Sequence, residues 1–423
     1  MRTLRLFKNN VIALKVGVFL AYRQIKRASL WTTLLIIFIM MLTFLNLVVV
    51  SGILVGLIEG SERAYRTYYS GDVIVQKFKN KDDVENTEEI VSVLNSIPEV
   101  KAYTSRLTTF GNVEANYHSR KLGEQPNQVG ANISGIDPVD ENKATNISKF
   151  IVAGEYLDPS DQDGILVGSN YLDQYSVVPE GAITLLKGVR VGSKVRVTIG
   201  DTMKEFTVRG ILKAKVDDIS LRFFMNASIM RQMLHKSTYN ASEIAIVLKN
   251  QGEEKFVKSI LVNNGLNDQA DIKTYVEAEP KFLVDIKNTF ALLGNAISSI
   301  GLVVAAITLF IVIFINAFTR KRYIGIMKGI GVHETAIEVS YVIQSFFYAI
   351  IGSSMGLFLV YAVIMPFFDA HPIDFPFSDG ILVAPLSSTL LRVLLLSATT
   401  IIAGYIPAKM IVKKNTLQSI LGK

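Results

Sequence analysis

Charge is missing from three long stretches of this chain, and no other feature limits its folding as much. No Asp, Glu, Lys or Arg occurs in residues 28–58, a run of 31, in 288–319, a run of 32, or in 339–368, a run of 30. A helix crosses the hydrocarbon core of a membrane with roughly 20 apolar residues, so each run is long enough to span. The first is too long for a cleaved signal peptide, whose apolar region covers about 7–15 residues. A fourth span is expected at 386–410, where Arg392 precedes 16 uncharged residues, 393–408. The long stem of Arg392 could carry its guanidinium to the headgroups. Composition agrees: 19% of residues are charged and mean hydropathy is +0.35, whereas soluble domains carry about 25% charged residues. The absence of cysteine excludes disulfides, thiolate metal sites and thiol catalysis.

Charge also orders the segments between the runs. Residues 1–28 hold Arg2, Arg5, Lys8, Lys15, Arg23, Lys26 and Arg27 and no acid, which the positive-inside rule keeps in the cytoplasm. Four spans return the C-terminus to the same side, where Lys409, Lys413, Lys414 and Lys423 lie. The loop with Arg320, Lys321, Arg322 and Lys328 falls inside too. The loop with Asp369, Asp374 and Asp379 falls outside. Residues 60–285 are then extracytoplasmic, with 27 basic and 31 acidic residues. The formal charge of +7 is therefore a topology signal, and no nucleic-acid partner is implied.

The 60–285 segment reads as a folded α+β domain. Strand patterns occur at 72–77, 101–113, 128–136, 164–167, 195–199, 206–212, 221–225, 243–248 and 271–275. Helical spacing occurs at 87–97, with Asn86 as N-cap, and at 253–263. A polar break separates two strands at 117–127. The Asp-, Asn- and Pro-rich stretch 137–146 predicts a boundary, and a β-rich lobe is expected as an insertion near 138–240. The helix entering the second span should begin near Glu279. Residues 59–69 should continue the first span outward, the two making a stalk.

Chemistry-bearing motifs are scarce. His118, His235, His333 and His371 lie beyond helical reach of one another, and no HExxH, GxSxG or phosphate-binding GxxxxGK[ST] pattern occurs. Asp158, Asp161 and Asp163 lack the spacing of a calcium loop and read as a solvated turn. Four Asn-x-Ser matches, at Asn132, Asn146, Asn226 and Asn240, read as chance. No catalytic or metal-binding residue is assigned, and the chain is read as a non-enzyme.

Two features of the membrane part carry more. Gly352 and Gly356 form a GxxxG pair that lets helices approach closely, within the subunit or, less favoured, between subunits. The first 28 residues form a basic amphipathic helix, with Val11, Leu14, Val18 and Ala21–Tyr22 apolar at helical spacing, expected along the inner membrane surface. The strongest local signal is the loop between the second and third runs: Arg320, Lys321, Arg322, Tyr323, Ile324, Gly325, Ile326, Met327, Lys328, Gly329, Ile330, Gly331. A plain connector needs no such apolar residues. Ile324, Ile326, Met327 and Ile330 must be covered by the bilayer or by a docked protein.

This loop resembles the coupling segment of the FtsX-like ABC permeases, a group that includes MacB-type efflux, lipoprotein-release (LolC/LolE) and cell-division permeases. Arg23–Leu35 resembles that family's entry to its first span. Gly164–Gly168 and Phe206–Ile211 resemble strands of its outer domain. Gly404-Tyr405-Ile406-Pro407-Ala408 resembles its last-span signature. The order of one span, a large outer domain and three more spans matches as well. Tyr323 stands where many members carry glutamate. The resemblance implies a four-helix inner-membrane permease with cytoplasmic termini and no cofactor of its own. ATP and Mg would belong to a separate ABC ATPase docked under residues 323–336. Gly352, Gly356, Gly404 and Pro407 would serve helix packing. It also implies a homodimer or a heterodimer with a related permease, contact with membrane lipid, and a periplasmic or outer-membrane partner. Export or extraction of a lipoprotein or other amphipathic substrate, by movement of the outer domain, is the leading expectation. Drug or peptide efflux, regulation of a cell-wall hydrolase, and a non-transporting receptor or scaffold are the alternatives.

Overall fold

The computed structural model describes residues 2–413 apart from 119–122, 124, 177–180, 182, 372, 376–377 and 381; for 2–11, 373–375 and 378–380 it describes the backbone alone. The chain forms two compact units. One comprises residues 1–58, 285–373 and 380–423, the other residues 59–284 and 374–379. In chain order the elements are α1 (Arg2–Lys26), α2 (Leu30–Tyr65), β1 (Val73–Gln76), α3 (Thr87–Ser96), β2 (Val100–Ala115), β3 (Asn127–Ile136), α4 (Pro138–Thr145), β4 (Ile151–Gly154), β5 (Gly164–Gly168), β6 (Lys194–Ile199), β7 (Thr202–Leu212), α5 (Asp217–Ser220), β8 (Arg222–Asn226), α6 (Ala227–Met233), β9 (Glu243–Leu248), α7 (Glu254–Asn263), β10 (Asp271–Thr274) and α8 (Tyr275–Ala278). Then follow α9 (Lys281–Thr319), α10 (Lys321–Gly329), α11 (Glu334–Leu359), α12 (Met365–Ala370), β11 (Ile373–Phe375), β12 (Ser378–Gly380) and α13 (Leu386–Val412).

Four helical stretches are long and apolar enough to cross a membrane: Leu30–Ser70, Lys281–Thr319, Glu334–Ala370 and Leu386–Val412. At 1.5 Å per residue, α2 and α9 are each more than about 50 Å long, well beyond a hydrocarbon core of about 30 Å. A single π-helical turn, Arg66–Ser70, extends α2, and another, Val360–Ile364, links α11 to α12. α1 packs by its smallest residues. Ala13 and Ala21 are buried, and Gly17 lies where a Cβ would meet Val339 and the Ala336 carbonyl of α11. Leu14, Val18 and Tyr22 remain exposed. Ala21 therefore belongs to a protein-facing stripe, not to the expected membrane-facing one, because only a small residue admits α11 so closely. The side chain of Val11 lies outside the described residues. Arg392 Nη2 donates to Ser51 Oγ of α2 at 2.6 Å, so its guanidinium is held by a neighbouring helix.

The second unit is built on one mixed sheet of ten strands. Its order is β10-β1-β9-β2-β3-β8-β5-β7-β4, with β6 pairing β2 and β7. β3 with β8 and β5 with β7 are parallel; the other pairs are antiparallel. Residues 138–240 share one sheet with the flanking strands, while the two parts keep separate hydrophobic cores. The 16-residue β2 pairs with β9 through its first half and with β3 through Leu107–Ala115, so one strand runs through both parts. The stretch 137–146, expected as a boundary, is the capped helix α4, with Asp137 accepting from the backbone N–H of Val139 and Asp140 and Asn146 ending it in the left-handed region. The Asp and Asn that suggested a boundary include its cap residues. Asn86 precedes α3 at φ 48 but its side chain makes no cap bond; the Thr87 N–H donates instead to Asn240 Oδ1 at 3.4 Å. Part of the polar break at 117–127 lies outside the described residues, as does the tail after Lys413.

Candidate functional site

The basic loop after the second span folds as α10, and its apolar residues divide by helical phase. Ile324 and Gly325 are buried. Ile324 joins the core formed with Leu309, Ile313, Tyr341 and Ile411, and Met327 packs against the same cluster. Tyr323 (68% exposed), Ile326 (45%) and Ile330 (76%) stay open; separated by three and four residues, they share one face. The sequence required cover for all four apolar residues, and the unit's own core supplies it for two. Arg320 and Arg322 flank this face, with Arg320 at the N-cap of α10. Lys328 fixes the other end: its Nζ donates to the Val412 carbonyl at 2.8 Å and pairs with Glu334 at 2.7 Å. Gly329 has open space around it, and Gly331 adopts φ +94, a conformation nearly reserved for glycine. It turns the chain into α11, whose N-cap is His333.

The packing glycines face helices of the same unit. A Cβ on Gly352 would lie 2.6 Å from Met40 Cβ, and one on Gly356 would overlap the Phe44 ring, both residues of α2. Gly404 abuts Ser345 of α11. Pro407 is buried inside α13.

A second constellation was not anticipated. In the sheet unit, Arg106 is 1% exposed. Its Nε and Nη2 form a bidentate pair with Glu141 at 2.8 and 2.7 Å, and its Nη1 meets Glu243 Oε1 at 3.2 Å. Arg222 reaches Glu243 at 3.4 Å, Asp218 at 3.2 Å and Ser134 Oγ at 3.0 Å. Tyr69, in the π-turn that ends the α2 helix, donates its hydroxyl to both Glu243 oxygens at 2.9 Å. Its ring lies 4.7 Å from the Arg106 guanidinium carbon and 5.0 Å from that of Arg222. Burial opposes charge at every one of these groups. At Glu243, Arg222 and Arg106, with hydrogen bonds from Tyr69 and Arg106, outweigh it and hold the carboxyl below the usual glutamate range. At Arg106, Glu141 outweighs it and the pKa lies well above the ordinary value. At Asp218 burial prevails over Arg222 and raises the pKa. The signal in the sequence was one of parity: Ala102, Thr104 and Arg106 alternate on the buried face of β2, so a charge sits at an inward position.

Among the described residues no group of His, Asp and Glu could hold a metal ion. Asp161 pairs with Arg209 at 2.8 Å and Asp158 accepts from the Ser160 N–H within its own turn. These contacts organise a loop.

The buried Ile324 and the small-residue contacts of α11 and α13 all fall in the part of the chain, residues 295–416, that matches the family model described as FtsX-like permease C-terminal. Over 121 residues the chain is 26% identical to a probable export ATP-binding/permease protein of Pseudomonas fluorescens (strain Pf0-1), covering 29% of this chain and 18% of that protein. It is 24% identical over 184 residues to the ABC transporter permease YtrF of Bacillus subtilis (strain 168), covering 40% of each. The chain thus spans less than half the length of either relative it matches. Among solved structures, it is similar to the extracellular domain of the noncanonic ABC-type transporter YknZ from Gram-positive bacteria, at 11% identity and TM-score 0.31, covering 48% of this chain and 98% of that one. It is also similar to the periplasmic region of MacB from Actinobacillus actinomycetemcomitans, at 12% identity and TM-score 0.34, covering 50% and 92%. Scores this low do not establish a common fold.

Proposed function

We propose that this chain is the membrane subunit of an ABC transporter, and that a separate ATPase docks on the Tyr323–Ile326–Ile330 face of α10. The observation that carries the reading is the phase of that helix. Ile324 and Met327 satisfy the unit's own core, yet three large apolar residues remain open beside Arg320 and Arg322 in an FtsX-like permease domain. Arg320, Arg322 and the hinge at Gly329–Gly331 complete the surface, and Lys328 ties it to α13. ATP and Mg act in the partner, whose nucleotide-binding domains work in pairs, so two permease chains sit together in lipid. Closure of the ATPase pair moves α10, and the movement passes through the helices into residues 59–70 and the sheet unit, which displaces an amphipathic substrate such as a lipoprotein. The orientation that serves this mechanism has α10 and both termini in the cytoplasm and residues 60–285 outside, as the charge distribution favours.

The test is purification of the tagged chain from its own cells in mild detergent, followed by mass spectrometry. A small ATPase with a phosphate loop, in stoichiometric amount, is expected. Its loss from an Ile326→Asp/Ile330→Asp variant that still inserts is expected as well. Recovery of no ATPase, under conditions that preserve other membrane complexes, would favour a receptor or scaffold.

A further inference from the structure

Beside α10 lies a half-open cavity of about 460 Å3 whose lining includes Arg23, Arg27 and Arg320, apolar Ile324 and Met327, and Tyr341, with no carboxylate. Three arginines thus line one cavity to which no Asp or Glu contributes. Among the described residues, Arg27 and Arg320 have no ion-pair partner, and Arg23 has only the ring of Phe19, 5.8 Å away. Tyr341 supplies an independent observation. It is 1% exposed, and its hydroxyl has no hydrogen-bond partner among the described residues. A buried hydroxyl is normally satisfied, so a donor at this cavity wall without an acceptor marks a place for one. We infer that this cavity binds the phosphate of an anionic phospholipid, with Arg23, Arg27 and Arg320 around the phosphate and the Tyr341 hydroxyl donating to it.

The depth of the site selects a lipid as the source of that phosphate. Arg27 directly precedes the uncharged run 28–58, and Arg320 directly follows the run 288–319. Both therefore lie where the hydrocarbon ends and headgroups begin. Trp31, one turn beyond Arg27, is 84% exposed, as expected of an interfacial aromatic. Ile324 and Met327 give the cavity an apolar wall beside which acyl chains can lie. The inference rests on the membrane reading; Arg320 and Tyr323 border both this cavity and the proposed docking face, so lipid retention and ATPase retention are read separately.

Native mass spectrometry of the full detergent-purified chain, titrated with phosphatidylglycerol or phosphatidylcholine, tests it. One phosphatidylglycerol per chain should be retained in preference to phosphatidylcholine. The preference should fall about fivefold for each guanidinium removed in Arg27→Gln and Arg320→Gln. It should be largely kept in the doubly conservative Arg27→Lys/Arg320→Lys chain and weakened in Tyr341→Phe. Equal retention of the two lipids, or an unchanged preference in the Gln variants, overturns the assignment. So does displacement of the lipid by millimolar inorganic phosphate, which would make the ligand a free anion. Finally, if the Gln variants lose a co-purified ATPase while keeping the lipid, the guanidiniums serve a protein carboxylate and the assignment fails.

Discussion

Arg106 shows how one side chain can govern a whole unit. Taking it out of water is costly, and only the two carboxylates that meet it make its burial tolerable. Replacement by Met leaves Glu141 buried without a cation and Glu243 with Arg222 alone, which costs about 3–5 kcal/mol. Hydrogen exchange of the β2 and β9 amides in the full chain should show it as a matching loss of protection. The pH dependence has a definite sign. Glu243 has a depressed pKa in the folded state, so its contribution is present above the ordinary glutamate value and lost as pH falls through the folded one. Stability should therefore decline on acidification below about pH 4.3, and the slope should be shallower in Glu243→Gln. Asp218, raised by burial, acts in the opposite sense, so the Glu243 share is the difference between wild type and variant. The sequence held every member of this network but not its assembly. Arg222 and Glu243 read only as the polar ends of two strands, and nothing local says that β3 lies between β8 and β2.

At the scale of the helix, α10 and the glycine contacts answer to different tests. Ile324 and Ile326 are neighbours in sequence with opposite environments, 2% and 45% exposed. Ile324→Asp should prevent stable folding of the membrane unit, because a carboxylate in that core has no partner. Ile326→Asp should leave the fold intact and alter only what binds from outside. Gly352→Leu should destabilise the purified chain by about 1–3 kcal/mol through overpacking against Met40, read as a lower unfolding temperature in detergent. Were Gly352 at a subunit interface instead, the same change would dissociate subunits and leave the monomer's stability alone. The four long apolar helices were legible because charge-free length is a direct physical requirement for crossing a membrane. The placement of α1 was not, since amphipathic spacing does not distinguish a lipid-facing stripe from the Ala13–Gly17–Ala21 face that meets α11. Nine of the sheet's ten strands were legible and the short edge strand β4 was not; their merger into one sheet depends on the long-range pairing of β2, which no local pattern encodes.

For the whole molecule, orientation and pairing can be tested on the same scaffold, because a chain without cysteine takes a single introduced thiol cleanly. Lys255→Cys, on the exposed face of α7, should react with a membrane-impermeant maleimide in intact cells, and Tyr323→Cys only after permeabilisation. The reverse pattern would invert the topology and remove α10 from reach of any cytoplasmic ATPase. Pairing is argued from α9. Only 17% of its most apolar window is covered within the chain, against 39% for the first span. Its open stripe runs through Ile300, Val304, Ile311 and Ile315, while Ala305 and Leu309 are fully buried. Lipid alone can cover such a stripe, but the two-copy assembly proposed above would need a helix free to meet its counterpart, and α9 is the least covered of the four. Val304→Cys should therefore form an interchain disulfide in native membranes under mild oxidant, and Leu309→Cys should not. Cross-linking at both positions alike would mean random collision, and at neither, that α9 faces lipid and the copies meet through another helix.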